Sequence, residues 1–188
     1  RHVSNFKKKN YKVIVVSSAM SGVTNNLIKK SLEISNDFSD SEYDVLVSSG
    51  EQVACSLIAG RLIHKGYKSR SWLSWQIPII TNDVHKNSRI NGVNRNKIIK
   101  YLKEGGIPII TGFQGVNYDN RITTIGRGGS DASAIMIAKF FKAEKCIIYT
   151  DVEGIYTTDP NKLLKAKKIK VISYEEMLEM ASLGAKVM

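Results

Sequence analysis

Three short stretches of this sequence carry residue types that could do chemistry. The sharpest is Gly126-Arg127-Gly128-Gly129-Ser130-Asp131, which runs into an apolar periodic segment. Glycines let a backbone approach a ligand closely, and a helix start adds free N–H groups and partial positive charge. Together they suit an anion. Arg127 adds a planar fork that fits a carboxylate or phosphate. The pattern is neither a Walker A loop nor a dinucleotide fingerprint, because the lysine and the third glycine are misplaced. A glycine-rich turn of this kind also occurs as a plain strand-to-helix connection.

The second stretch runs from Tyr149 to Pro160 and contains Thr150, Asp151, Tyr156, Thr157 and Asp159. It follows an apolar run that reads as a buried strand, and open α/β sheets bind ligands at the carboxyl ends of their strands. A surface turn rich in Asp, Gly and Pro is the other reading. The third is Ser49-Gly50-Glu51-Gln52 inside a helical pattern. A glycine there costs about 1 kcal/mol relative to alanine, so packing or a ligand should require it. A lone Glu is otherwise an ordinary solvated charge. Ser17 to Thr24, rich in small hydroxyl residues, follows the first buried run and forms a further strand-to-helix turn.

The elements that must position these stretches alternate along the chain. Val13 to Val16, Lys68 to Leu73, Ile77 to Ile80, Ile107 to Thr111, Arg121 to Ile125, Lys145 to Thr150 and Ile169 to Ile172 read as strands. Helices are expected from about Thr24 to Ser35, over most of Tyr43 to His64 with Gly66 ending it, from Asn94 to Lys103, and from Asp131 to Lys142 with Ser130 as N-cap. Ser173 and Glu176 have the spacing of a capping box for a last helix reaching Ala181. Gly112 to Asn120 reads as turn-rich. Alternating strands and helices, with strands apolar on both faces, predict an α/β fold. Its sheet is open, mostly parallel and sandwiched by helices. No internal repeat or linker divides the 188 residues, so residues 1–188 read as one domain.

Composition removes other classes. No apolar run approaches the roughly 20 residues of a membrane span. The first ten residues lack the apolar core of a secretory signal. The net charge is +11, but the lysines are spread along the chain and form no stripe, which points away from a nucleic-acid site. A basic surface still raises the local concentration of an anionic nucleotide. The two cysteines, Cys55 and Cys146, lie in apolar segments and read as buried reduced thiols. The three histidines are scattered, so no metal site is expected. A cytoplasmic protein fits these features.

Taken in order, Val15 to Asn25, Ser49 to Gln52, Gly112-Phe113-Gln114-Gly115, Thr123 to Ser133, Tyr149 to Pro160 and Ser173 to Val187 resemble the aspartate kinases of the amino acid kinase family. The resemblance covers nearly the whole chain. It implies an open, mostly parallel eight-stranded sheet. It implies transfer of the ATP γ-phosphoryl group to the side-chain carboxylate of L-aspartate. The product, 4-phospho-L-aspartate, leads towards lysine or diaminopimelate, threonine and methionine. Magnesium would be held mainly through the nucleotide phosphates, and the full-length form would be a homo-oligomer.

Carried over residue by residue, Arg127 would grip the α-carboxylate of aspartate and Glu51 its ammonium. Thr24, Gly128, Gly129 and Ser130 would line the same pocket. Asp131 would organise the phosphate-binding lysines, and Lys186 would reach the phosphates. Ser18, Thr150, Asp151, Tyr156, Thr157, Asp159 and Pro160 would hold ATP. The sequence departs from the family in three ways. It has no counterpart of the opening strand that ends in Lys-Phe/Tyr-Gly-Gly. It has Gln52 and Asn161 where Arg is usual. It stops at Met188, where the family continues with further kinase sequence and regulatory domains. These departures imply a catalytic domain truncated at both ends and incomplete as a catalyst by itself. Other readings of the same residues are a non-catalytic nucleotide-binding remnant and a kinase of another small amino acid.

Overall fold

The structure is a computed structural model that describes residues 1–126, 128–149, 156–158, 163, 165–169, 171–173, 175–176 and 179–180. Its centre is a parallel three-stranded sheet. Strand β1 (Val15–Ser17) and strand β2 (Ser69–Trp72) flank β5 (Ile107–Thr111). Every residue of β5 is buried, because helices cover both faces of this sheet. On one face Ile107 and Ile109 meet Cys55, Ala59 and Leu62 of helix α3 (Asp40–His64). On the other, Ile110 joins a core with Trp72, Ile98 of helix α4 (Asn96–Lys103) and Ile137 of helix α5 (Gly129–Phe140). Alternate residues of one strand thus feed two cores, and the predicted run of uninterrupted apolar residues follows from that.

A second, mixed sheet has the order β4-β3-β6-β7. Strand β3 is Ile79–Thr81, β4 is Ile90–Val93, β6 is Gln114–Val116 and β7 is Ile122–Thr124. β3 runs parallel to β6, and the outer pairs are antiparallel. Gly115 explains how β6 fits in the middle. A Cβ there would lie 2.4 Å from the Thr81 methyl and 2.6 Å from the Ile79 carbonyl. Without one, the Thr81 and Thr123 hydroxyls meet at 2.6 Å. The α/β class with helices on both faces of a mostly parallel sheet is therefore as the sequence predicts.

Several element boundaries differ from expectation. β4 and β6 lie where the sequence shows turn-type residues; pairing with β3 makes them strands. Helix α1 (His2–Lys8) was likewise without a periodic signal. Residues 145–149 form no ladder. Their burial still alternates, but Ile147 is 50% exposed and Tyr149 60%, because no strand pairs with them among the described residues. The described members of 169–172 form no ladder either; only the isolated bridge between Lys168 and Tyr156 stands nearby. Helix α2 (Val23–Ile34) agrees within a residue. The capping box is observed: Glu176 accepts the Ser173 amide at 2.9 Å, and Ser173 Oγ accepts the Glu176 amide at 3.2 Å. Among the described residues no helix is long and apolar enough to cross a membrane.

Candidate active site

Two helix starts converge on the carboxyl edge of the β1–β5 pair. Ser17 ends β1 opposite Thr111 of β5, and the Gly112 amide donates to the Ser17 carbonyl at 3.0 Å. From β1 the chain turns through Ser18 to Gly22 into α2. From β5 it passes through the β6–β7 hairpin into α5. Each helix is capped by a glycine in the left-handed region, Gly22 at φ 77° and Gly128 at φ 72°, and neither has a side-chain cap hydrogen bond. Only glycine takes that conformation cheaply. The Val23, Gly129 and Asp131 amides donate to the carbonyls of Met20, Gly126 and Gly128 at 3.0–3.1 Å, and the partial positive charge of each helix start favours an anion at this edge.

Close backbone approach brings the pieces together. A Cβ on Gly50 of α3 would stand 2.9 Å from Ala19 Cβ and 3.2 Å from a Val23 methyl, so its absence seats the β1–α2 turn on α3. A Cβ on Gly112 would stand 3.1 Å from the Cα of Ser130. A Cβ on Gly129 would lie 2.7 Å from the Phe113 ring. Ser133 locks this corner: its hydroxyl accepts the Phe113 amide at 3.0 Å and donates to the Gly129 carbonyl at 2.7 Å. Phe113 itself stands at φ 64°. The predicted packing reason for Gly50 is thus observed. Ser130 is not the N-cap; Gly128 is, and α5 begins two residues earlier than expected.

Glu51 is the chemical centre of this edge. It is 2% exposed, and its Oε1 accepts the Ala19 amide at 3.0 Å. Its Oε2 is buried without a hydrogen-bond partner, as is the Thr111 hydroxyl. Burial pushes the Glu51 carboxyl up to about 7, opposed in part by the Ala19 amide. Burial raises the neighbouring Cys55 thiol to about 12, with the Glu51 charge adding to it. An orphaned carboxylate oxygen at the mouth of two helix starts suits a cation, and an ammonium group in particular. Asp131, half-buried in the first turn of α5, is also raised by desolvation. Burial raises the half-buried Cys146 thiol, with the Asp131 charge adding to it.

Ser18, Thr24, Glu51, Gly128, Gly129, Ser130 and Asp131 therefore share one edge of the sheet, linked through Ala19, Ser17 and Gly112. Tyr156 and Thr157 pair with the 167–168 segment. Tyr156 bridges to Lys168, and Thr157 exchanges bonds with Lys167 at 2.9 and 3.1 Å. Arg127, Thr150, Asp151, Asp159, Pro160 and Lys186 lie outside the described residues. Among the described residues no three His, Cys, Asp or Glu side chains converge as a metal site would require.

Sequence reasoning passed over Asp44 and gave Gln114 no role. Gln114 is fully buried and donates to the Ser48 carbonyl of α3 at 2.9 Å, which ties β6 to the helix that carries Glu51. A lone Gln in a turn-rich run gives no hint of this. Asp44 had one signal, a position two helical turns before Glu51.

Glycine-capped helix starts at the carboxyl edge of a parallel sheet are an anion-binding arrangement of open α/β proteins. The chain belongs to the amino acid kinase family, which it matches over residues 1–188. It is 51% identical to an aspartokinase of Rickettsia conorii (strain ATCC VR-613 / Malish 7) over 183 residues, 96% of this chain and 46% of that protein. It thus spans less than half the length of that relative. Among solved structures it resembles E. coli aspartokinase III in complex with aspartate and ADP in the R-state. The TM-score is 0.76 at 28% identity, covering 94% of this chain and 51% of that one. It also resembles aspartate kinase from Synechocystis, with TM-score 0.75 and 37% identity over 100% of this chain and 31% of that one.

Proposed function

We propose that residues 1–188 form the catalytic domain of an aspartate kinase. In the reaction a side-chain carboxylate oxygen of L-aspartate attacks the γ-phosphorus of ATP. The bond from that phosphorus to the bridging oxygen breaks, and ADP and 4-phospho-L-aspartate leave. The observation that carries the reading is the buried Glu51 carboxylate with one unbonded oxygen, set beside two glycine-capped helix starts. Such a carboxylate takes the α-ammonium of an amino acid. The α5 start, with Gly128, Gly129 and Ser130, takes its α-carboxylate together with Arg127. Thr24 closes the pocket from α2.

The attacking carboxylate is ionised at neutral pH, so the chemistry needs no general base. It needs alignment and positive charge around a loose transition state. Asp131 orients the lysines that meet the phosphates, and Lys186 is one of them. Ser18, Thr150, Asp151, Tyr156, Thr157, Asp159 and Pro160 hold the nucleotide. Magnesium, held mainly through the nucleotide phosphates, would supply charge neutralisation when bound. The ammonium partner also draws Glu51 to its ionised form, so binding near neutral pH releases a proton. The family resemblance further supports a homo-oligomer in the full-length form.

The direct test traps the acyl phosphate with hydroxylamine. The full-length protein with Mg-ATP should give aspartyl hydroxamate, and far less product with glutamate. A full-length protein that makes no hydroxamate from aspartate refutes the assignment.

A further inference from the structure

Asp44 is the second buried carboxylate of α3, and the roles above leave it unused. It is 0% exposed and collects donors from two directions. Thr124 Oγ1, at the end of β7, donates to Oδ1 at 2.5 Å. His85 Nδ1 stands 2.7 Å from Oδ2, and the Lys86 amide reaches both oxygens at 3.1 and 3.2 Å. Lys86 is held in the left-handed region at φ 62°. Its ammonium pairs with Asp40 and lies 4.8 Å from the centre of the Tyr43 ring. The first turns of α3 therefore hold residues 85 and 86 by main chain and side chain together.

Those residues press on the glycine-rich turn. A Cβ at Gly126, which stands at φ 86°, would lie 3.0 Å from the Lys86 carbonyl oxygen and 3.1 Å from Asn87 Oδ1. The strand leading into the turn is gripped as well. Ser88 donates to the Thr124 carbonyl from its amide at 2.8 Å and from its hydroxyl at 2.9 Å. Thr124 is thus fixed at both ends, by Asp44 through its side chain and by Ser88 through its carbonyl. Buried networks with every member bonded are rigid, and a missing member is felt by all the others.

We propose that Asp44 is a positioning residue for the amino-acid site. It binds the 85–88 segment and Thr124 into one block, and that block sets where Gly126 stands relative to the α5 start. The proposal rests on the kinase reading, in which this turn grips the acceptor's α-carboxylate. A merely structural anchor would lower stability without choosing between substrates. A positioning residue separates them, because a small displacement of a binding group costs affinity for the molecule it holds.

The test uses the full-length protein and Thr124→Val, which removes one donor to Asp44 at nearly constant volume. KM for aspartate should rise about tenfold, while KM for ATP and kcat stay within about twofold. Thr124→Ser, which keeps the hydroxyl, should restore the parent value. Amide exchange at residues 125–129, measured without substrates, should be faster in Thr124→Val than in the parent. If Thr124→Val does not accumulate, His85→Ala repeats the test on a side chain 21% exposed. Equal rises in both KM values overturn the proposal, as does faster exchange with an unchanged KM for aspartate. An unmodified protein inactive with aspartate defeats the kinase reading alone. Exchange then tests the block alone: unchanged rates at 125–129 show that Thr124 does not hold this segment, and faster rates show that it does, with no amino-acid site left for it to position.

Discussion

Glu51 Oε1 accepts the Ala19 amide at 3.0 Å across 32 residues of sequence, while Oε2 of the same carboxylate has no partner. The bonded oxygen fixes the side chain, and the free one gives it a task. A buried carboxyl with one partner resists ionisation, and the direction of that resistance predicts a pH effect. Its folded value is raised from 4.5 to about 7. Between those values the unfolded chain has lost a proton that the folded chain keeps, so stability falls as pH rises through this window. The rise corresponds to about 3 kcal/mol once the folded carboxyl is ionised. Glu51→Gln should therefore stabilise the ligand-free protein more at pH 8 than at pH 5. Urea midpoints at the two pH values measure it; an equal gain at both would show that Glu51 ionises normally.

Gly50→Ala sets two effects against each other. Alanine gains about 1 kcal/mol of helix propensity. Its methyl would meet Ala19 Cβ at 2.9 Å, and overpacking of this kind costs about 1–3 kcal/mol. The clash should win, with a net loss of about 1 kcal/mol and weaker use of aspartate, since the β1–α2 turn must move. Chemical denaturation and steady-state kinetics on the full-length protein check both parts.

Gly112→Ala puts a methyl 3.1 Å from the Ser130 main chain, which cannot swing aside as a long side chain could. The α5 start should shift away from β5. We expect KM for aspartate to rise about tenfold or more, with a smaller effect on thermal stability. Parent-like kinetics would show that the α5 start is not part of the substrate pocket.

Arg127→Ala removes the planar fork from the glycine-rich turn. A charge-assisted contact of that kind is worth about 1.5–3 kcal/mol. Use of aspartate should fall by roughly 10- to 100-fold while ATP binding, followed by calorimetry, stays near the parent value. An unchanged kcat/KM for aspartate would remove Arg127 from the site.

The layered α/β architecture was legible in the sequence because β5 and α3 have strong local signals. Ile107 to Thr111 is apolar throughout, since both its faces are covered. The helical pattern of α3 ends at Gly66. Gly50 and Gly126 to Gly129 also stood out, because a glycine in a helix or before one costs something that contacts must repay. β6 was not legible. Gln114-Gly115-Val116 has turn chemistry, and its strand character comes from Thr81 and Thr123 closing over the missing side chain of Gly115. Asp44 was silent for a similar reason. A carboxylate near a helix start is common on surfaces, and only the fold delivers Thr124, His85 and the Lys86 amide to it. Residues 145–149 differ the other way: they read as a buried apolar run, but among the described residues no strand pairs with them, and Ile147 and Tyr149 are exposed.

Asp44 and Glu51 sit seven residues apart on α3, which in an α-helix is about 10 Å along the axis and nearly the same face. The helix therefore works as a ruler with two marks, one under the glycine-rich turn and one under the β1–α2 turn. Its composition between the marks is loosely constrained on the outer side, where Val45 is exposed. Its length is not. One inserted or deleted residue between positions 44 and 51 would turn one carboxylate by about 100° away from its donors, whatever its identity. Related chains that keep both carboxylates should accept substitution at the exposed position of Val45, keep residues that fit the buried positions of Val47, Ser48 and Gly50, and show no change in the length of the stretch.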